Sequence, residues 1–147
     1  MTTLPATLST EIAAHGQRTY PEECVGALIG SLDRDAATFV VDQLLPLDND
    51  SAGSGRREFS IDPRDYLRAE RAADAAGKRL IGFYHSHPDA AVYFSETDLR
   101  FAQPNFVYII VSIQGQDGPP RAVDTGAFVL AASGAASSRE ELSIGET

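Results

Sequence analysis

Apolar positions recur every third or fourth residue over 6–19. Leu8, Ile12 and then His15 or Gly16 share one helical face, Thr7 or Ser9 stands where a cap belongs, and Pro21 ends the run. Residues 24–29 form a continuous apolar run with Gly26 inside it and Gly30 after it, the pattern of a buried strand. Residues 37–45, rich in Val, Phe and Leu, read as its hairpin partner across a turn at Asp33-Arg34-Asp35, ending before Pro46. A polar, Gly- and Ser-rich loop follows over 48–56, then a short alternating strand over 58–61. Asp62-Pro63 opens a helix that runs to about Ala76 and stops at Gly77. Residues 79–85 read as a strand, 88–94 as a loop, and 95–103 as a short helix stopped before Pro104. Residues 106–113 are the most apolar run and predict a central strand. A turn over 114–120 leads to a last strand over 121–131. The order is that of an α/β fold, a mixed sheet flanked by helices, in a single domain over 1–132. Residues 133–147 are small, polar and acidic and predict a loosely held tail.

Composition narrows the function. A chain of 147 residues is one domain by size, and 43% hydrophobic with 22% charged residues is ordinary globular composition. No apolar stretch approaches the roughly 20 residues of a membrane span. The start, Met1-Thr2-Thr3-Leu4-Pro5, lacks the basic and apolar regions of a signal peptide. A net charge of -9, from 21 acidic and 12 basic residues, disfavours nucleic acid as a partner. Cys24 is the single cysteine, so no internal disulfide forms, in keeping with a reducing cytoplasm. The expectation is a cytoplasmic protein with neither membrane nor nucleic acid as partner.

The chemistry concentrates in Gly82-Phe83-Tyr84-His85-Ser86-His87-Pro88, followed by Ser95-Glu96-Thr97-Asp98. Residues i and i+2 of a strand point to one face, so His85 and His87 aim two imidazoles at one place. A carboxylate returning at Asp98 completes three ligands. Three ligands with an open fourth position are the pattern of a catalytic zinc rather than a structural one. Each piece also has a plainer reading. A strand histidine is more often a packed core residue than a ligand, and Ser95 with Asp98 matches a capping box. Other His-x-His hydrolases fit less well. The metallo-β-lactamase type carries His-x-His-x-Asp-His, and here Asp89 is followed by Ala90. The amidohydrolase type needs a barrel of roughly 250 residues.

The full pattern resembles the JAMM (MPN+) metalloproteases: an upstream Glu, His-x-His, ten residues, then Asp, with Ser three before it. Here these are Glu23, His85-Ser86-His87 and Asp98, with Ser95 in place. Tyr20-Pro21-Glu22-Glu23-Cys24-Val25-Gly26 is similar to the opening segment of short bacterial members. Its register makes Glu23, rather than Glu22, the counterpart of the catalytic Glu. The resemblance covers roughly 8–130. Two departures stand out: Phe94, preceded by Val92 and Tyr93, replaces a Pro common before the motif serine, and Cys24-Val25-Gly26 replaces Cys-Cys-Gly.

The resemblance implies a cytidine-deaminase-like fold and one zinc per chain held by His85, His87 and Asp98. It implies Glu23 as general acid–base and Ser95 as oxyanion donor. The implied reaction is hydrolysis of a peptide or isopeptide bond after the Gly-Gly tail of a ubiquitin-like or sulfur-carrier protein. A substrate groove is expected between an edge strand at 58–61, with Phe59, and a wall of Val92, Tyr93 and Phe94. Arg56 and Arg57 more simply form a solvated basic pair than a partner contact. The alternative is a scaffold that holds zinc and a partner without turnover; intact Glu23 and Ser95 argue against it. A DNA-repair-associated relative is weakened by the acidic balance.

Overall fold

The computed structural model describes residues 1–49, 61–130 and 137–145. The expected strand over 58–61, including Phe59, and the pair Arg56–Arg57 lie outside the described residues, apart from Ile61.

The elements in order are β1 (Thr2–Pro5), α1 (Ala6–Thr19), β2 (Val25–Asp33), β3 (Thr38–Leu47), α2 (Pro63–Ala75), β4 (Arg79–Pro88), α3 (Glu96–Phe101), β5 (Val107–Gln114), β6 (Arg121–Leu130), β7 (Ser137–Glu140) and β8 (Leu142–Gly145). Helix α2 begins as the sequence predicts. Asp62 accepts from the Arg64 N–H, Pro63 fills the first turn, and Gly77 leaves the helix at a φ of 69°. Strand β3 runs through Pro46 rather than stopping before it. Its neighbour β1 pairs only with Phe39 and Val40, so Pro46 sits on an edge-like stretch where no ladder N–H is missed.

The strands form one sheet in the order β7-β6-β5-β4-β2-β3-β1-β8. Strands β4 and β5 pair in parallel across the crossover through α3, whereas β2 pairs antiparallel with β3 and β4. Strands β7 and β8 end the order on opposite sides, yet only Glu141 separates them in the chain. The sheet is therefore curled until one extended C-terminal segment pairs with both of its edges. Helix α1 touches β1, β3, β4, β5, β6 and β8, strands from both ends of the order, and so fills the concave side. There Leu4, Ile12, Leu28, Val41, Tyr84, Ile109 and Ile113 form the larger core cluster. Helix α2 covers the opposite face, where Ala69 packs with Val25, Ala27, Leu47, Phe83 and Tyr108.

The described part of the expected tail, residues 137–145, is paired into strands rather than loosely held. Its strands are four residues each, too short for a periodicity to register; the partner of β7 is the preceding strand, and that of β8 lies at the other end of the chain. Strand β7 pairs with Ala127–Leu130 and β8 with Thr2–Pro5. Glu140 also takes the N-terminal ammonium at 2.9 Å and a hydrogen bond from the Thr2 hydroxyl, and the Glu141 carbonyl accepts from the Thr2 N–H at 2.8 Å. Strand β1 is likewise invisible in the sequence.

A register shift lets β4 serve both faces. Leu28 pairs with Gly82 and Ile29 with Leu80, leaving Ile81 as the extra residue of a bulge. Ile81, Tyr84 and Ser86 turn toward α1, and Phe83, His85 and His87 toward the other face. Gly82 is held to glycine by backbone, since a Cβ there would stand 1.7 Å from the Val107 carbonyl oxygen. Truncation after Ala136 removes β7 and β8 and uncovers both edges; thermal unfolding should then begin at a Tm lower by more than about 5 °C. An unchanged Tm would show that the segment does not close the sheet.

Candidate metal centre

The functional side chains come from three places. His85 and His87 sit at the C-terminal end of β4, Asp98 in the first turn of α3, and Glu23 on the two-residue approach to β2. The C-terminal end of a parallel strand at a change of sheet direction is where open α/β sheets build their sites. All four side chains are buried, with 6% or 7% exposure for Glu23 and His87, 5% for Asp98 and none for His85.

The His85 and His87 Nε2 atoms lie 3.3 Å apart. The Asp98 carboxylate faces both, with Oδ1 3.1 Å from His85 Nε2 and Oδ2 3.4 Å from His87 Nε2. A tetrahedral metal ion with bonds of about 2.0–2.1 Å sets its ligand atoms about 3.3 Å apart, so the three donors already stand at ligand spacing. The Glu23 carboxylate also approaches, within 4.8 Å of a ligand nitrogen on each imidazole. Two carboxylates therefore flank the histidine pair, and Asp98 is the one that faces both Nε2 atoms directly.

The hydrogen bonds fix these orientations. His87 Nδ1 donates to the Ala91 carbonyl at 3.0 Å, which fixes the ring with Nε2 toward Asp98. Ser95 and Asp98 do form a capping box: Ser95 Oγ accepts from the Asp98 N–H and Asp98 Oδ2 from the Ser95 N–H, each at 3.0 Å. The cap and the orientation of the carboxylate are one device, because Asp98 Oδ2, which accepts from the Ser95 N–H, is also the oxygen that faces His87 Nε2. The Ser95 hydroxyl keeps its own proton as a donor.

Glu23 is held by its backbone. Asn49 Nδ2 donates to the Glu23 carbonyl at 3.1 Å. The next N–H, that of Cys24, donates to Ser86 Oγ at 2.8 Å, and the Ser86 N–H returns to the Cys24 carbonyl. Ser86, between the two histidines and on the opposite face, thus ties the Glu23 segment to the strand that carries them. Sequence reasoning passed over Ser86 and Asn49; neither has a signal apart from the fold.

Electrostatics match the geometry. Burial lowers the His85 pKa, against the pull of Asp98. Burial also opposes charge on His87, but Asp98, the Ala91 carbonyl and Glu23 together raise it. Burial works against an ionised Asp98, yet its bonds from His85 and His87 hold it far below the usual carboxylate range. The place favours positive charge, whether a proton or a metal ion. Cys24 is 1% exposed and burial pushes its thiol up to about 11, so it stays a protonated core residue rather than a nucleophile.

Beside these groups a cavity of about 50 Å³ is lined by Glu23, His87, Pro88, Ala90, Tyr93 and Ser95. It has room for a few water-sized groups. The Tyr93 ring meets His87 edge-on at 5.1 Å and is 53% exposed, so it stands at the mouth. The other two residues of the expected wall do other work. Phe94 stacks on Phe128 and against Tyr108, each at 5.5 Å, joining the α2-side core. Val92 reaches over Gly126, where a Cβ would come within 2.7 Å of it. Apolar side chains beside a strand of the sheet gain more from covering it than from lining a wet groove.

The fold and site define a single-domain α/β protein with a buried His–His–carboxylate centre beside a small polar cavity. The family of prokaryotic homologs of the JAB domain matches residues 5–125, and the chain belongs to it. It is 37% identical over 97 residues to a desampylase of Haloferax volcanii, a match covering 65% of this chain and 66% of that one, just under two thirds. It is 30% identical over 108 residues to a CysO-cysteine peptidase of Mycobacterium tuberculosis, covering 73% of this chain and 70% of that one. The fold is shared with a JAB1/MPN domain protein of Archaeoglobus fulgidus, at a TM-score of 0.58 and 21% identity over 99% of this chain and all of that one. Among the described residues no helix is long and apolar enough to cross a membrane.

Replacing His85, His87 or Asp98 by Ala should each abolish stoichiometric binding of a divalent metal, measured by elemental analysis after gel filtration. Affinity should also fall as the pH drops through the His87 titration, which lies above the ordinary 6.5, because only the neutral imidazole binds metal. Undiminished metal in the His87 variant would overturn the ligand set.

Proposed function

We propose that this chain is a zinc-dependent peptidase that cleaves after the C-terminal Gly-Gly of a ubiquitin-like or sulfur-carrier protein. The observation that carries this is the spacing of His85, His87 and Asp98 as three ligands beside a cavity that also receives Glu23 and Ser95. Relatives named as a desampylase and a CysO-cysteine peptidase support a protein-conjugate substrate. A single buried cysteine suits the reducing cytoplasm as the place of action.

In this reading His85, His87 and Asp98 hold one zinc. Bound there, zinc supplies a water of lowered pKa and Lewis-acid polarisation of the scissile carbonyl. Glu23 takes a proton from the attacking water and delivers it to the leaving amine. Its buried, backbone-clamped position keeps the carboxylate beside the imidazoles, where solvent competes weakly. The Ser95 hydroxyl donates to the developing oxyanion, while Asp98 N–H occupies its acceptor side and fixes its direction. Tyr93 narrows the mouth, so residues without side chains pass most easily. A Gly-Gly tail meets that condition.

Glu23 is buried whereas Glu22 is half-exposed, in keeping with the register that makes Glu23 the proton carrier. Glu23→Gln should retain zinc and lose at least about 100-fold in kcat, whereas Glu22→Gln stays within about twofold. Zinc content and single-turnover cleavage, measured on the same samples, decide it; the reverse order of effects would move the register by one residue.

A sulfur carrier extended beyond its Gly-Gly should be cut after the second Gly, in a chelator-sensitive reaction read by intact-mass spectrometry. Unstructured peptides should be cut far more slowly. Equal rates would remove the carrier from the reading. Absence of cleavage in every Gly-Gly fusion, with zinc bound, would favour the scaffold reading.

A further inference from the structure

Asp89 follows the histidine pair by two residues and is absorbed by neither the ligand set nor the cavity. It is a non-glycine residue in the left-handed region, at a φ of 54°, a conformation that Asp tolerates better than most side chains. Its carboxylate joins two distant segments. Oδ1 accepts from the Gly115 N–H at 2.8 Å, and Oδ2 accepts from the Tyr20 hydroxyl. Its own N–H donates to the Ile113 carbonyl at 2.7 Å. The next carbonyl, that of Ala90, accepts from Ser112 Oγ at 2.6 Å, and the one after, Ala91, accepts from His87 Nδ1. The turn over 88–91 is thus pinned at each residue from Asp89 to Ala91, and its last carbonyl orients a metal ligand.

The other end of the strut is Tyr20. It caps α1, its N–H donating to the Gly16 carbonyl at 3.1 Å. Gly16 sits so close to β4 and β5 that a Cβ would stand 2.9 Å from Ile113 and 3.2 Å from Ser86. The turn after Tyr20 is closed by the Glu22 N–H on Thr19, and Glu23 comes next. Gly115 lets the tyrosine lie across it, since a Cβ there would stand 2.4 Å from the ring.

We propose that Asp89 is a positioning residue: through Tyr20 and Gly115 it locks the turn whose Ala91 carbonyl orients His87, and ties that turn to the segment carrying Glu23. The inference rests on the proposed zinc site. It predicts that groups with no contact to the metal tune how tightly and in what geometry it is held, as supporting hydrogen bonds do for ligating histidines generally.

The test uses the full chain with Asp89→Ala, Asp89→Asn, Tyr20→Phe and Gly115→Ala, each checked for native circular dichroism. Zinc affinity is measured by competition with a chromophoric chelator, and ligand geometry by the visible spectrum of the cobalt-substituted protein. Asp89→Ala should weaken zinc binding by about tenfold or more and shift the cobalt bands. Tyr20→Phe and Gly115→Ala should give smaller losses in the same direction. Asp89→Asn, which keeps an acceptor for Gly115 and tolerates the backbone, should recover most of the affinity. Tyr20→Phe added to Asp89→Ala should cost nothing further, because both remove one interaction. Should Asp89→Ala not fold, Tyr20→Phe and Gly115→Ala decide by the same readouts. A folded Asp89→Ala protein with a lower Tm but parental affinity and cobalt bands would overturn the proposal and leave a merely structural role. A parental chain that binds no zinc would overturn the zinc site as well, so the two failures are distinguishable.

Discussion

Asp98 is a carboxylate buried to 5% exposure and held in its ionised form, and the site is organised around that charge. A charge withdrawn from water is tolerated only where donors or counter-charges surround it. Here the surroundings are two imidazoles on one side and the N-terminal turn of α3 on the other. The imidazoles must therefore arrive together, on one face of one strand, and α3 must start where its cap can turn the carboxylate toward them. The parallel β4–α3–β5 crossover meets both demands, because it returns the chain at the C-terminal end of β4.

Much of the remaining fold secures the second carboxylate. Glu23 lies just before β2, outside any regular element, and such a segment has no ladder of its own to fix it. Bonds from Asn49, to Ser86 and through the turn at Thr19–Glu22 take the ladder's place. The bulge at Ile81 matters for the same reason. It lets β4 send core residues toward α1 while keeping the histidines on the α2 side, so that Ser86 reaches Cys24 from behind the histidine pair. One face of the strand then presents the two imidazoles, and the other supports the segment that carries Glu23.

The curled sheet explains how so small a chain holds this arrangement. Laid open, the sheet of the described strands would leave two exposed edges. Closure by the segment from β7 to β8 removes the need for a separate cover and fastens the chain's two ends together at Thr2 and Glu140. Helix α1, enclosed on the concave side, then has a fixed end at Tyr20, and the loop before Glu23 inherits that position. The aromatic stretch at 92–94 divides along similar lines: Phe94 joins the core, while Tyr93 remains at the mouth.

Local pattern alone determined the helix over 6–19, the strand carrying the histidines, the cap at Asp62 and the central strand near 107–113. Each reports its own periodicity or end signal within a few residues. His-x-His on a strand also determined that two imidazoles share a face. The role of Glu23 came from its match to a family motif rather than from spacing. Only the tertiary structure decided that β1, β7 and β8 exist, since four residues are too few for a periodicity to register and each strand is defined by its partners, β1 and β8 by one another across the length of the chain and β7 by β6. Only it decided that Ser95 caps and that Asp98 both caps and faces the histidines, because those readings differ in where α3 sits and not in sequence. The same holds for Asp89, Ser86 and Asn49. Their work is done through hydrogen bonds that span 26 to 69 residues, and no local pattern records a contact of that length.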